Sequence, residues 1–157
     1  MKQINKIIVF IALLICTIAQ AQIKDPKQIM EELSSKITQI TAADLREKMD
    51  LERTFILIDV RTEKEYLAGH IENAVWIPRG LLEFMIQKIS VDPEAEIILY
   101  CKGGGRSALC TYALIEMGYK NVFNLSGGFK EWATAGNSIY NEHGELKIVS
   151  FGKTEAN

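Results

Sequence analysis

Ile97-Ile98-Leu99-Tyr100 runs directly into Cys101-Lys102-Gly103-Gly104-Gly105-Arg106-Ser107, and this junction restricts the fold more than any other stretch of the chain. Four consecutive apolar or aromatic residues read as a strand buried on both faces, a pattern that belongs to parallel sheets covered by helices. Ser107 to Met117 reads as a helix stopped by Gly118. The glycines in between therefore form a strand-to-helix turn, in which successive backbone N–H groups can converge on one point at the positive end of the helix dipole. Cys101 stands at the start of that turn, with Lys102 and Arg106 adding formal positive charge. Such a cradle favours thiolate over thiol and makes Cys101 a candidate nucleophile.

The rest of the chain alternates in the same way. A short strand near Ile40 precedes a helix over Ala42–Met49, a strand over Phe55–Asp59 and a helix over Glu63–Ala68. Thr62 and Glu65 form the capping box of that helix. A strand over Ala74–Ile77, a helix over Leu81–Ile89, the Glu96–Tyr100 strand, its following helix, a strand over Val122–Leu125 and a helix over Phe129–Ala135 complete the series. The expected fold is α/β, an open parallel five-stranded sheet with helices on both faces. Ligands in such sheets sit at the carboxyl ends of the strands, where Cys101 falls.

Loop length narrows the chemistry. The Cys101–Arg106 segment is one residue shorter than the C-x5-R loop that surrounds phosphate in cysteine phosphatases, and the smaller ring suits a single sulfur atom carried as a persulfide. Here the chain resembles the rhodanese family of sulfurtransferases. Ile56-Leu57-Ile58-Asp59-Val60-Arg61, then Glu65-Tyr66-Leu67-Ala68-Gly69-His70-Ile71 and Ala74-Val75-Trp76-Ile77-Pro78, are similar to that family's strand, short helix, Gly-His-Ile and next strand. Val122 to Trp132, with Ser126-Gly127-Gly128 inside it, is similar to the closing strand, double glycine and helix. Asn73 departs from the glycine common before the alanine, a change confined to a turn. The match runs over residues 38–136 and defines a single rhodanese-like domain.

The resemblance implies a double displacement. Cys101 thiolate takes the outer sulfur of a small anionic donor such as thiosulfate, and a cyanide, thiol or protein-thiol acceptor removes it. Lys102, Gly103, Gly104, Gly105, Arg106 and Ser107 are the expected substrate-binding residues, and Lys102 and Arg106 are expected to face the donor. Asp59 and Arg61 are supporting residues, read first as an ion pair or turn. His70 is a fold element, since a preformed thiolate needs no separate base. Trp76 and Trp132 are core or edge aromatics. No metal and no cofactor is called for. The alternatives are a non-catalytic binding or sulfur-sensing module that keeps the fold, and a phosphatase or arsenate reductase.

Outside the domain, Lys2 and Lys6, the apolar run Ile7–Ile18 and Ala19-Gln20-Ala21 read as a signal peptide over 1–21. Export follows, to the periplasm in a Gram-negative host and otherwise to the medium, with no stable membrane insertion after cleavage. Bulky Ile15 before Cys16 argues against lipidation. Residues 22–37 form a helical extension, with Ile29, Met30, Leu33 and Ile37 at helical spacing after Asp25-Pro26. Residues 137–157 form a tail with a short strand near Leu146–Val149. The net charge of −2 becomes more negative when residues 1–21 leave, which argues against nucleic acid as a partner. Of the two cysteines that remain, Cys110 falls beyond the first turn of the helix and reads as a small core residue.

Overall fold

The computed structural model describes residues 23–147. The signal segment 1–21 lies outside them, as do Ile148 and Val149 of the expected tail strand. In chain order the elements are α1 (Pro26–Ser34), β1 (Thr38–Ile40), α2 (Ala42–Asp50), β2 (Ile56–Asp59), α3 (Glu63–Ala68), β3 (Val75–Trp76), α4 (Leu82–Met85), β4 (Glu96–Tyr100), α5 (Gly105–Glu116), β5 (Asn121–Leu125), α6 (Gly128–Thr134), β6 (Ile139–Asn141) and β7 (Gly144–Leu146). The main sheet has five parallel strands in the order β1-β5-β4-β2-β3.

Side-chain alternation along the strands supplies both faces of the sheet. Leu57, Ile98, Tyr100 and Leu125 pack with Leu45 of α2 and Trp132 of α6. Ile58, Ile97, Leu99 and Cys101 point the other way, against Leu82 and Ile86 around α4 and Cys110 and Leu114 of α5. β4 is the central strand, buried along nearly its whole length, as its unbroken apolar sequence requires. α1 lies outside α5, with Leu33 and Ile37 closing on Ala108. Its capping box, Asp25 with Gln28, fixes its start, and Met30 Sδ comes to 3.9 Å from the position a Cβ on Gly105 would take.

Two expectations change. The single helix over Leu81–Ile89 is a 3-10 turn (Arg79–Leu81), the four-residue α4 and a second 3-10 turn (Ile86–Lys88). Only Leu82 and Ile86 are buried there, while Phe84 is 79 % exposed, so the segment lacks the apolar stripe that would hold a longer helix. Residues 137–147 are part of the folded unit and not an appendage: β6 and β7 form an antiparallel hairpin. Ile139 joins the Trp132 core, Tyr140 pairs with His70, and Trp132 Nε1 donates to the Ser138 carbonyl at 2.9 Å.

Strand order sets the place of the site. From β2 the chain moves outward to β3, and from β4 it moves outward to β5. The loops leaving β2 and β4 thus diverge at a topological switch point, which opens a crevice at the carboxyl ends of these two strands. Val60 N–H donates to the Tyr100 carbonyl at 3.0 Å and locks the two exits together.

Candidate active site

Cys101 follows β4 directly and is 2 % exposed. Its Sγ accepts a hydrogen bond from the Gly104 N–H at 3.2 Å. The loop closes because Gly104 takes φ +92°, a left-handed conformation that strains residues bearing a Cβ. Burial pushes the Cys101 thiol up, but the Ser107 hydroxyl and the amides of Ser107, Gly103 and Gly104 together outweigh it and hold the thiol below its ordinary value. Ser107 is fully buried, and its Oγ also lies 3.0 Å from the Gly104 carbonyl, so it ties the first turn of α5 to the loop.

A second glycine braces the loop from below. Gly128 has φ +57°, and a Cβ there would stand 2.3 Å from the Cys101 carbonyl oxygen and 2.9 Å from the Gly104 nitrogen. That close approach lets Phe129 N–H donate to the Cys101 carbonyl at 2.8 Å and Lys130 N–H to the Lys102 carbonyl at 3.0 Å. The turn into α6 therefore fixes the outer, carbonyl side of the loop and leaves its N–H groups facing the sulfur. The Gly127-Gly128 pair is visible in the sequence, but its contact with Cys101 is not.

The two loop cations differ. Lys102 is exposed. Arg106 instead turns across the crevice to α3, where its Nη1 and Nη2 donate to Glu65 Oε2 and Oε1 at 2.9 and 2.8 Å. Glu65 Oε2 also accepts from the Thr62 N–H and hydroxyl at 3.0 and 2.9 Å, so the capping-box residue serves a second partner. Arg106 foremost, joined by Thr62, lowers the Glu65 carboxyl to about 2. Glu65 in turn raises Arg106, with a smaller contribution from the nearby Cys101. Arg106, expected to face the donor, thus engages a carboxylate of the protein with its fork while lying close to Cys101.

Asp59 and Arg61 form a buried pair, with Arg61 Nη2 to Asp59 Oδ2 at 2.6 Å and Nε to Oδ2 at 2.9 Å. Arg61 Nη2 also donates to the Gly69 carbonyl at 2.6 Å, and the guanidinium lies 4.0 Å from the Phe129 ring centroid. These contacts join the exit of β2 to α3 and α6. His70 stacks on Tyr66 with centroids 4.0 Å apart and bonds through its backbone to Tyr140, the role of a fold element. Cys110 is buried in the core and its thiol is pushed up to about 12 by burial. Both described cysteines are free. Among the described residues, no cluster of three or more His, Cys, Asp or Glu side chains has metal-binding geometry.

The sequence profile of the rhodanese-like domain matches residues 41–135, a span that holds the loop, its α6 brace and the Glu65 contact. The chain belongs to the rhodanese family. A tRNA uridine(34) hydroxylase of Yersinia enterocolitica is 35 % identical over 82 residues, covering 50 % of this chain but only 23 % of that protein. Among solved structures, a rhodanese-like domain protein of Staphylococcus aureus is 28 % identical with a TM-score of 0.57, over 71 % of this chain and all of that one. A protein of unknown function from Rhodopseudomonas palustris, described as a possible tyrosine phosphatase, is 30 % identical with a TM-score of 0.67, over 76 % and 97 % of the two chains.

Proposed function

We propose that this rhodanese-family chain is a sulfurtransferase that moves a sulfane sulfur from an anionic donor such as thiosulfate to cyanide, a small thiol or a protein thiol, through a persulfide on Cys101. The observation that carries the reading is the Cys101 sulfur held by loop amides at the end of β4, with its thiol lowered despite burial. Cys101 thiolate attacks the outer sulfur of the donor. A new S–S bond forms, the donor's S–S bond breaks, and sulfite leaves with the bonding pair. The acceptor then attacks the terminal sulfur and returns Cys101 as thiolate. The N–H groups that stabilise the thiolate are close enough to stabilise the charge on the added sulfur, so the cradle serves both half-reactions. Neither half-reaction requires a metal or an organic cofactor.

Phosphate-ester chemistry is the second reading, because the Rhodopseudomonas palustris neighbour carries that description. The short loop and the engaged Arg106 fork speak against it, since a guanidinium already held by a carboxylate does not offer its bidentate donors to a phosphate. Thiosulfate:cyanide transfer and p-nitrophenyl phosphate hydrolysis, measured on one preparation, separate the two. Transfer without hydrolysis is expected, and hydrolysis without transfer overturns the assignment. The proposed place of action is outside the cytoplasm, after cleavage following Ala21. N-terminal sequencing of the protein from its host should begin at Gln22, and an intact Met1 on soluble cytoplasmic protein contradicts export.

A further inference from the structure

The exit of β3 forms a further wall beside the crevice. Ile77 N–H donates to the Asp59 carbonyl at 3.1 Å, Arg79 N–H to the Val60 carbonyl at 3.3 Å, and Val60 N–H to the Tyr100 carbonyl at 3.0 Å. This ladder carries the parallel pairing past the strand ends and sets the Arg79 backbone on the same carboxyl edge as Cys101. Pro78 enters the Arg79–Leu81 turn with φ −60° and ψ 142°. Leu82 anchors the turn from the other end, fully buried in the cluster that holds Cys101 and Cys110. Arg79 itself is exposed. After burial, the charges that act on the Cys110 thiol are those of Glu83, Arg79 and Cys101, so Arg79 and Cys101 lie within electrostatic reach of one buried sulfur. Three arginines stand at this edge. Arg61 is buried on Asp59, and Arg106 is held by Glu65. Among the described residues Arg79 is in no salt bridge, not even with Glu83 four residues on.

We propose that Arg79 is a specificity-determining residue that receives the oxyanion head of the sulfur donor and fits the site to donors of the thiosulfate type. This rests on the sulfurtransferase reading and deepens it. The guanidinium offers paired N–H groups to two oxygens of the sulfonate, which the point charge of Lys102 does not. Arg79 stands outside the Cys101–Arg106 loop, so its fork grips the head and leaves the outer sulfur to the loop amides. Cys101 thiolate forms a bond to that outer sulfur, the donor's sulfur–sulfur bond breaks, and sulfite leaves with the bonding pair. No proton moves, and no oxidant or reductant is consumed. Negative charge on the head grows as the bond breaks, so Arg79 holds the departing sulfite more strongly than the donor and lowers the barrier. A persulfide with an uncharged head gives the fork nothing to hold and draws no benefit from it.

The test is Arg79→Ala in the full chain. The ratio of kcat/KM for thiosulfate to that for 2-mercaptoethanol persulfide, whose head is uncharged, is expected to fall about tenfold, the order of effect of one partly screened charge at contact distance. Arg79→Lys keeps the charge without the fork and should fall between the two. Arg53, exposed at the opposite, amino edge of β2, is the control: Arg53→Ala removes the same net charge and should leave the ratio unchanged. Because the Arg79 side chain is exposed and unpaired, Arg79→Ala should melt within about 2 °C of wild type. A second readout requires no sulfur transfer: sulfate should protect Cys101 from iodoacetamide only at about tenfold higher concentration in Arg79→Ala than in wild type. Sulfate protection equal in the two proteins, an unchanged ratio, or a loss carried by Lys102→Ala in place of Arg79→Ala overturns the proposal. Failure of both donors to load Cys101 in wild type, with the protection shift intact, instead overturns the sulfurtransferase reading.

Discussion

Gly128→Ala examines whether the α6 turn builds the nucleophile's loop. The added methyl group would stand 2.3 Å from the Cys101 carbonyl oxygen, 2.9 Å from the Gly104 nitrogen and 3.1 Å from the Gly103 nitrogen. All three are backbone atoms, so none can be cleared by a side-chain rotation. The φ of +57° costs about 1–2 kcal/mol for a residue with a Cβ. Displacing the loop adds a comparable amount through the weakened hydrogen bonds from Phe129 and Lys130, each worth about 1 kcal/mol. The expected loss is about 3 kcal/mol, or roughly 10 °C in melting temperature for a domain of this size. The pH midpoint of Cys101 alkylation should rise as well, because the amides that lower the thiol shift with the loop. Two glycines serve as controls. Gly136→Ala has φ +79° and open space around it, so it should show the conformational cost alone and leave the alkylation midpoint unchanged. Gly103→Ala also meets open space and should melt close to wild type. A Gly128→Ala protein that melts within about 2 °C of wild type, a stability change under roughly 1 kcal/mol, and keeps the same alkylation midpoint refutes the brace.

Two further perturbations follow from the charged groups. Asp59→Asn leaves Arg61 buried without its carboxylate and should cost about 3–5 kcal/mol in a denaturant titration; a loss under about 1 kcal/mol would mean the pair is solvated in solution. Glu65 has its carboxyl lowered on folding from 4.5 to about 2, so its contribution is complete above the unfolded value and disappears as the pH falls toward 2. The stability gap between wild type and Glu65→Gln should therefore be present at neutral pH, about 1 kcal/mol after allowing for partial exposure, and close in acid. A gap that is constant across that range contradicts the assignment of the ionised pair.

The parts of the site that were legible in the sequence are those set by local rules. An unbroken apolar run identified β4 as the buried central strand, the glycine loop followed from it, and Thr62 with Glu65 marked the start of α3. What the sequence did not disclose are contacts between segments far apart in the chain. The reach of Glu65 to Arg106 spans 41 residues, and no spacing rule distinguishes a capping glutamate from one that also clamps an arginine. Gly128 was recognisable as half of a double glycine, yet its reason, the Cys101 carbonyl beneath it, exists only once β4 and β5 are paired. The β6–β7 hairpin is not legible because its strands are three residues each and carry little apolar pattern of their own. Ile139 shows its importance only through Trp132. Burial of Leu82 and Ile86 alone explains why the helix expected over Leu81–Ile89 shortens to α4.

Sulfur loading of Cys101 tests the central claim most directly. The full-length protein is incubated with thiosulfate, and in parallel with cysteine persulfide, then freed of small molecules without reductant and examined by intact mass and peptide mapping. The account predicts that the Cys101 peptide gains the mass of one sulfur atom, that cyanide or a thiol removes it, and that Cys101→Ser gains nothing. Cys110, buried with its thiol pushed up to about 12, should remain unmodified in both proteins. Wild-type protein that gains no sulfur from either donor, or gains it on Cys110, contradicts the assignment of Cys101 as the sulfur carrier.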